Sequence, residues 1–172
     1  MSQCFSENLL AGKVAFVAGG TRGINLGIAK AFACAGARVA VIGRDAERAA
    51  AAQADIEQAS GGRALGMSCD VRDYAAVETA IKTTAEAFGK IDILVSGAAG
   101  NFFSPIVGLS ANAFKTVVDI DLIGTFNVFR ASFDYLTKPG ASLIAITAGQ
   151  AEHAVPFQAH AAAAKAGVNM LT

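Results

Sequence analysis

Residues 14–29 read VAFVAGGTRGINLGIA, and this short run constrains the fold more than any other part of the chain. An apolar segment suited to a strand, Val14 to Val17, meets a glycine cluster, and the cluster opens into a helical pattern. A strand, a glycine-rich turn and a helix in that order bring backbone N–H groups and a helix N-terminus to one point, which suits a phosphate. Gly19, Gly20 and Gly23 lack the Cβ atoms that would hold a pyrophosphate away. The run predicts a dinucleotide-binding turn at the carboxyl end of a first strand over 14–18.

The rest of the chain continues the alternation. Strand-like segments fall at 38–42, 64–68, 91–96 and 142–147, and helical patterns at 23–35, 45–58, 73–88 and 110–136, with a last one from 159. Gly36, the Gly61-Gly62 pair and Gly89 supply stops for the first three helices. Continuous apolar strands between amphipathic helices predict an α/β fold: a Rossmann-type doubly wound parallel sheet with helices on both faces. Ligands of such sheets bind at the carboxyl ends of the strands. A length of 172 residues fits a single domain over 1–172. The chain stops at Thr172 inside a helical pattern, without a cap or a glycine, so the expectation is a sequence truncated at its carboxyl end.

Composition removes several classes of function. The formal net charge is zero, which argues against a nucleic-acid arm and a polybasic membrane patch. Apolar residues make up 53 %, yet no uninterrupted apolar stretch is long enough to span a membrane. Cys4, Cys34 and Cys69 show no CxxC spacing and read as free thiols in a reducing compartment. Residues 1–8 lack the basic and apolar regions of a secretory leader. His153 and His160 form no metal-ligand spacing, so no metal is expected. The default is a soluble cytoplasmic protein.

The end of the second strand selects the cofactor. A carboxylate there suits the ribose hydroxyls of NAD, and an arginine suits the 2′-phosphate of NADP. Here the order is Ile42-Gly43-Arg44-Asp45. Arg44 and, inside the glycine turn, Arg22 converge on one phosphate and favour NADP(H). Arg44 also reads as a solvated residue at a helix start. Asp45 reads as the N-cap of the helix that follows rather than as an NAD carboxylate.

The spacing Gly19-x-x-x-Gly23-x-Asn25 resembles the Gly-x-x-x-Gly-x-Gly turn of the short-chain dehydrogenase/reductase family, with Asn25 in place of the third glycine. Asn tolerates unusual backbone angles, and Gly27 is a candidate for the helix–strand contact. The resemblance implies cofactor contacts at Gly19, Thr21, Arg22, Gly23, Ile24, Ala98 and Gly100, and an adenine-contacting pair at Asp70 and Val71. That pair reads equally as a turn before an N-cap at Asp73.

The family's usual chemistry uses Ser, Tyr and Lys, with Tyr four residues before Lys on one helix face, and an Asn on the long helix. In this chain Lys165 fits the lysine, but Ala161 stands at the tyrosine position, Ala148 near the serine position and Asp121 at the asparagine position. The runs GAAGNF (97–102), LSANAFK (109–115), VDID (118–121) and GTFNV (124–128), with His-Ala-x-x-Ala-Lys-Ala over 160–166, resemble instead the 2,4-dienoyl-CoA reductase branch, especially its peroxisomal type. The resemblance covers nearly the whole chain. It implies reduction of a conjugated enoyl or dienoyl-CoA thioester with NADPH and without the family tyrosine, in a homo-oligomer (a dimer or a tetramer). It also implies that the residues after this chain's last helix add further sheet and a substrate-covering loop.

Hydride addition to the far end of a conjugated thioester moves negative charge to the enolate oxygen. One group must stabilise that oxygen and an acid must protonate carbon. Lys165 is the candidate for holding the nicotinamide ribose and supplying positive charge. Asp121, with Val117, Val118 and Gly124 as helical neighbours, is the candidate acid, since apolar surroundings raise a carboxyl pKa; a nearby Lys165 ammonium pushes the other way. Asp121 also reads as a cap on a polar network, and Asp119 as a surface partner of Lys115. Asn101 and Phe102 are expected to line the acyl pocket, with Phe103 as wall or core. Thr147 and Gln150 are candidates for hydrogen bonds to substrate, and His160 is a lesser candidate acid. Other readings stay open: a short-chain reductase of another carbonyl or acyl-carrier substrate, and a silent NADP-binding protein.

Overall fold

The computed structural model describes residues 8–172. Residues 1–7, with Cys4 and most of the stretch that lacks a secretory leader's pattern, lie outside the described residues. Five strands form one sheet: β1 (Val14–Ala18), β2 (Arg38–Gly43), β3 (Ala64–Ser68), β4 (Ile93–Ser96) and β5 (Ser142–Ala145). Their order across the sheet is β3-β2-β1-β4-β5, and every pairing is parallel. Phe16 lies level with Ala40 of β2 and Leu94 of β4.

Helices α1 (Gly23–Cys34), α2 (Ala46–Ser60) and α3 (Tyr74–Phe88) alternate with the first strands. Side chains of β1 point alternately to the two faces, as the pleat requires. Val14, Phe16 and Ala18 pack with Val77 and Ile81 of α3 and with Val128. Ala15 and Val17 pack with Ala29 and Ala33 of α1 and with Ile56 of α2. All of β1 is buried, so this strand carries a continuous apolar run rather than an alternating one. The fold is the doubly wound parallel sheet that the strand–helix alternation predicts.

Helix boundaries follow their caps. Asp45 accepts the Arg48 N–H at 3.0 Å, and Asp73 accepts the Ala76 N–H at 3.1 Å. At the far end of α2, Gly61 adopts φ +67° and its N–H reaches the Glu57 carbonyl at 2.8 Å, which carries the helix two residues past the expected 58.

Three expectations need correction. The helix expected over 110–136 is not one α-helix. It comprises α4 (Ala111–Val118), one π-helical turn (Asp119–Ile123) and α5 (Gly124–Ser132), followed by a short 3₁₀ turn (Phe133–Tyr135). The Gly124 N–H donates to the Asp119 carbonyl, five residues back. The strand expected over 91–96 begins at Ile93, because Ile91 makes only an isolated bridge to Leu136. The strand expected over 142–147 ends at Ala145, and the next carbonyl, that of Ile146, accepts from the Lys165 ammonium at 2.8 Å. The last helix, α6 (Ala159–Leu171), packs on α4 and on the π turn.

Candidate functional site

A groove of about 780 Å³ runs along the carboxyl ends of the strands. Gly19, Thr21, Arg22, Gly23, Ile24 and Asn25 line it from the first turn, Arg44 and Arg48 from beyond β2, and Asp70 and Val71 from beyond β3. Gly97, Ala98 and Ala99 close it from beyond β4. The groove thus gathers the expected cofactor residues Gly19, Thr21, Arg22, Gly23, Ile24, Arg44, Asp70, Val71 and Ala98. Arg48, Cys69, Ile120 and Ile146 also line it and were missed. Arg48 is legible afterwards, one helical turn from Arg44 on the first turn of α2.

The three glycines of the turn do different work. A Cβ on Gly19, at φ +75°, would lie 2.8 Å from the Ala98 backbone. One on Gly20 would lie 2.7 Å from Val41. Both are glycines because protein packs against them, which corrects the expectation that all three clear space for a pyrophosphate. Only Gly23, at φ +59°, has nothing within 4 Å of that position. Gly27 likewise faces open space, so it supplies no helix–strand contact. Thr21 is wedged against Gly43, where a Cβ would meet its hydroxyl at 2.5 Å.

The site's chemistry fits a phosphate-bearing ligand. Helices α2, α3 and α4 each carry a side-chain cap, from Asp45, Asp73 and Ser110. Helix α1 has none: Arg22 at its N-cap makes no capping bond, and the first turn holds no acid. The uncapped N–H groups and the dipole of α1 therefore suit an anion. Arg22 and Arg44 are exposed in the groove, whereas Arg48 pairs with Asp45 at 3.4 Å. Asp70 is clamped by the Arg72 guanidinium at 2.6 Å, and that hydrogen bond first of all holds its carboxyl below the usual range. Burial, then Asp70 and Asp73, push the Cys69 thiol up to about 11, so it stays protonated.

A second centre lies behind the loop after β4. Asp121 is 1 % exposed and Lys165 7 %, with Nζ 3.6 Å from Oδ2. Oδ1 accepts the Gly100 N–H at 2.7 Å. Gly100 therefore orients Asp121 instead of lining the groove. Burial raises the Asp121 pKa, opposed first by the Gly100 N–H and then by Lys165. The π turn carries Asp121 inward, and Thr125, one turn on, donates its hydroxyl to the Asp121 carbonyl at 2.7 Å. Gly124 meets Val71, where a Cβ would approach Val71 Cγ2 to 2.6 Å, and this contact joins the second centre to the groove.

The expected substrate residues scatter more. Asn101 donates to Gln158 Oε1 at 2.6 Å, and Gln150 donates to the same oxygen at 3.4 Å. Gln158, which joins the two loops, was not foreseen. Phe102 stacks on the buried His160, centroids 4.3 Å apart. Phe103 is 76 % exposed and so is not core. Thr147 is exposed and joins neither set. Asp119 pairs with Lys115 at the surface.

A family model described as short chain dehydrogenase matches residues 13–172. The chain is 43 % identical over 167 residues to a Saccharomyces cerevisiae protein named peroxisomal 2,4-dienoyl-CoA reductase, (3E)-enoyl-CoA-producing, covering 95 % of this chain and 57 % of that one. It is equally 43 % identical over 169 residues to the Rattus norvegicus protein of that name, covering 98 % and 58 %. The chain thus spans rather more than half the length of these relatives. Among solved structures, a dehydrogenase/reductase from Sinorhizobium meliloti superposes with a TM-score of 0.90 at 39 % identity, covering 96 % of this chain and 66 % of that one. A citronellol catabolism dehydrogenase from Pseudomonas aeruginosa gives 0.92 at 31 % identity, covering 100 % and 70 %.

Proposed function

The chain belongs to the short-chain dehydrogenase family, and on that premise we propose that it is part of an NADPH-dependent reductase of a conjugated enoyl or dienoyl-CoA thioester. The observation that carries this reading is the buried Asp121–Lys165 pair, 3.6 Å apart, with Ala161 and Ala148 where the family's tyrosine and serine would stand. Two relatives that are 43 % identical are named for that reduction. A nicotinamide held along the groove would supply the hydride that the far end of the conjugated chain needs.

The chain's own residues do the rest. The α1 N-terminus would hold the pyrophosphate, and Arg22 and Arg44 the 2′-phosphate. The Lys165 ammonium, fixed by the Ile146 carbonyl, stabilises charge on the thioester oxygen. Asp121 is the acid of this reading, since burial favours its protonated form. Its proton goes to the substrate carbon, and Lys165 would also hold the nicotinamide ribose. Asn101 and Phe102 bound the acyl side, and Gln150 holds the loop through Gln158.

Phe114, Phe126 and Phe133 leave the helical run exposed, a face that suits the proposed homo-oligomer. Among the described residues no helix is long and apolar enough to cross a membrane. We read the setting as cytoplasmic. The relatives' names say peroxisomal, and imaging of the tagged protein decides between the two.

The test is NADPH oxidation with a 2,4-dienoyl-CoA, with a simple ketone and without substrate. Turnover on the thioester alone supports the proposal. Turnover on the ketone indicates a reductase of other carbonyls. Cofactor binding with no turnover indicates a silent binding protein, the reading that the missing tyrosine and serine favour.

A further inference from the structure

Asn25 belongs to α1, where its backbone is helical rather than left-handed, so the reason for an amide at this position is not backbone freedom. Its side chain leaves the glycine turn and crosses to the next loop of the groove. Nδ2 donates to the Gly97 carbonyl at 2.7 Å and lies 3.4 Å from the Gly19 carbonyl. Two carbonyl oxygens on one side fix the amide's orientation, because only an N–H₂ can face both. The neighbouring geometry is built around this bridge. A Cβ on Gly97 would fall 2.4 Å from Oδ1 and 2.5 Å from Nδ2, so a side chain at 97 and the amide at 25 exclude each other. Gly19 is closed against Ala98 from the other side. The bridge is kept although Oδ1 is buried with no donor among the described residues, a cost that a glycine or an alanine would not incur.

We propose that Asn25 is a strap that couples the two halves of the cofactor site, and so is a determinant of dinucleotide affinity that touches protein rather than chemistry. The glycine turn carries the phosphate end of the groove with Arg22, and the Gly97–Ala98 loop carries the adjoining wall and leads to Gly100 and Asp121. A ligand that spans both walls gains from having them aligned beforehand, since the alignment is then not made at the moment of binding. A ligand confined to the adenosine end gains nothing from it.

This inference rests on the groove binding a nicotinamide dinucleotide, and the experiment separates the two claims. Wild-type protein is titrated with NADPH, with NADH and with adenosine 2′,5′-bisphosphate, and so are Asn25→Gly and Asn25→Asp. Asn25→Asp keeps the shape and removes the donor. Because its added charge acts on both kinds of probe, the ratio of dinucleotide to half-ligand affinity is the readout. In Asn25→Gly the dinucleotide should bind about tenfold more weakly, the size of one net hydrogen bond, with the bisphosphate within about twofold; Asn25→Asp should lower the ratio in the same direction. An unchanged ratio in a folded variant overturns the strap, as does tighter dinucleotide binding by Asn25→Gly. Wild-type protein that binds no dinucleotide overturns the cofactor reading itself. Where Asn25→Gly does not fold, the Asn25→Asp ratio decides alone.

Discussion

The groove beyond β1 and β2 and the Asp121–Lys165 centre lie on the same edge of one sheet, yet they are built in opposite ways. The groove is made largely of backbone. Its glycine turn and uncapped α1 are one contiguous segment, Arg44 and the other walls come from beyond β2, β3 and β4, and it is open to solvent. The second centre is made of side chains from distant segments and is sealed. Asp121 meets a loop N–H from Gly100 and an ammonium from α6, and that ammonium is itself held by the carbonyl beyond β5. A site that binds a highly charged ligand stays wet and uses repeated N–H groups. A site that must hold or move one proton dries a carboxyl and surrounds it with few partners.

The largest test of this contrast is Asp121→Asn. The substitution keeps an acceptor for Gly100 and removes the titrating proton, so turnover should fall by about 1,000-fold while NADPH affinity stays within about twofold. Steady-state rates and a binding titration check it, and retained turnover removes the proton role. The same variant sharpens the contrast through pH. Burial raises the folded-state pKa of Asp121. Its contribution to stability is therefore full below the ordinary carboxylate range and is lost as pH rises through the raised value. Denaturation midpoints across acid to neutral pH should fall less steeply with rising pH in Asp121→Asn than in wild type.

Next in size, Gly19→Val places a branched side chain at φ +75° against the Ala98 backbone. It should cost about 2 kcal/mol of stability and weaken the dinucleotide together with the fold, read by denaturation and titration in parallel. Arg44→Ala should leave the fold intact and weaken NADPH by about tenfold or more, as expected for a charge-assisted bond to a phosphate. NADH should be little changed, and equal weakening of both cofactors breaks the assignment of Arg44 to the 2′-phosphate. Smallest of all, Lys115→Ala removes a surface pair whose lysine side chain is 71 % exposed. It should change stability by no more than about 0.5 kcal/mol and leave turnover alone.

The same contrast explains what could be read from the sequence. The glycine turn, the five strands and the caps Asp45 and Asp73 are local signals: each rests on residues a few positions apart, and each reappears in the structure. The sequence also marked Asp121 and Lys165, but only through resemblance. Nothing in their spacing reports that Gly100 would hold one oxygen or that Ile146 would hold the ammonium. The separate tasks of Gly19 and Gly20 were hidden because their neighbours, Ala98 and Val41, come from the loop after β4 and from β2. Gln158 was invisible for a like reason: its amide oxygen gathers Asn101 and Gln150 from two loops. The helix over 110–136 misled in its own way: the buried positions 117, 121, 124, 128 and 131 keep α-helical spacing, so the pattern gives no sign of the extra residue in the π turn.

That residue has a consequence for insertions and deletions. The π turn at Asp119–Ile123 takes up one residue more than an α-helical turn does, between α4 and α5. Each helical residue advances the face by about 100°. Deleting one residue from this turn would restore an unbroken α-helix with α4 and α5 left in place, and only the residues inside the turn would change direction, by about that angle. Asp121, which lies inside the turn, would then turn away from the centre with no change in its identity. In this stretch the number of residues carries as much of the site as their chemistry does.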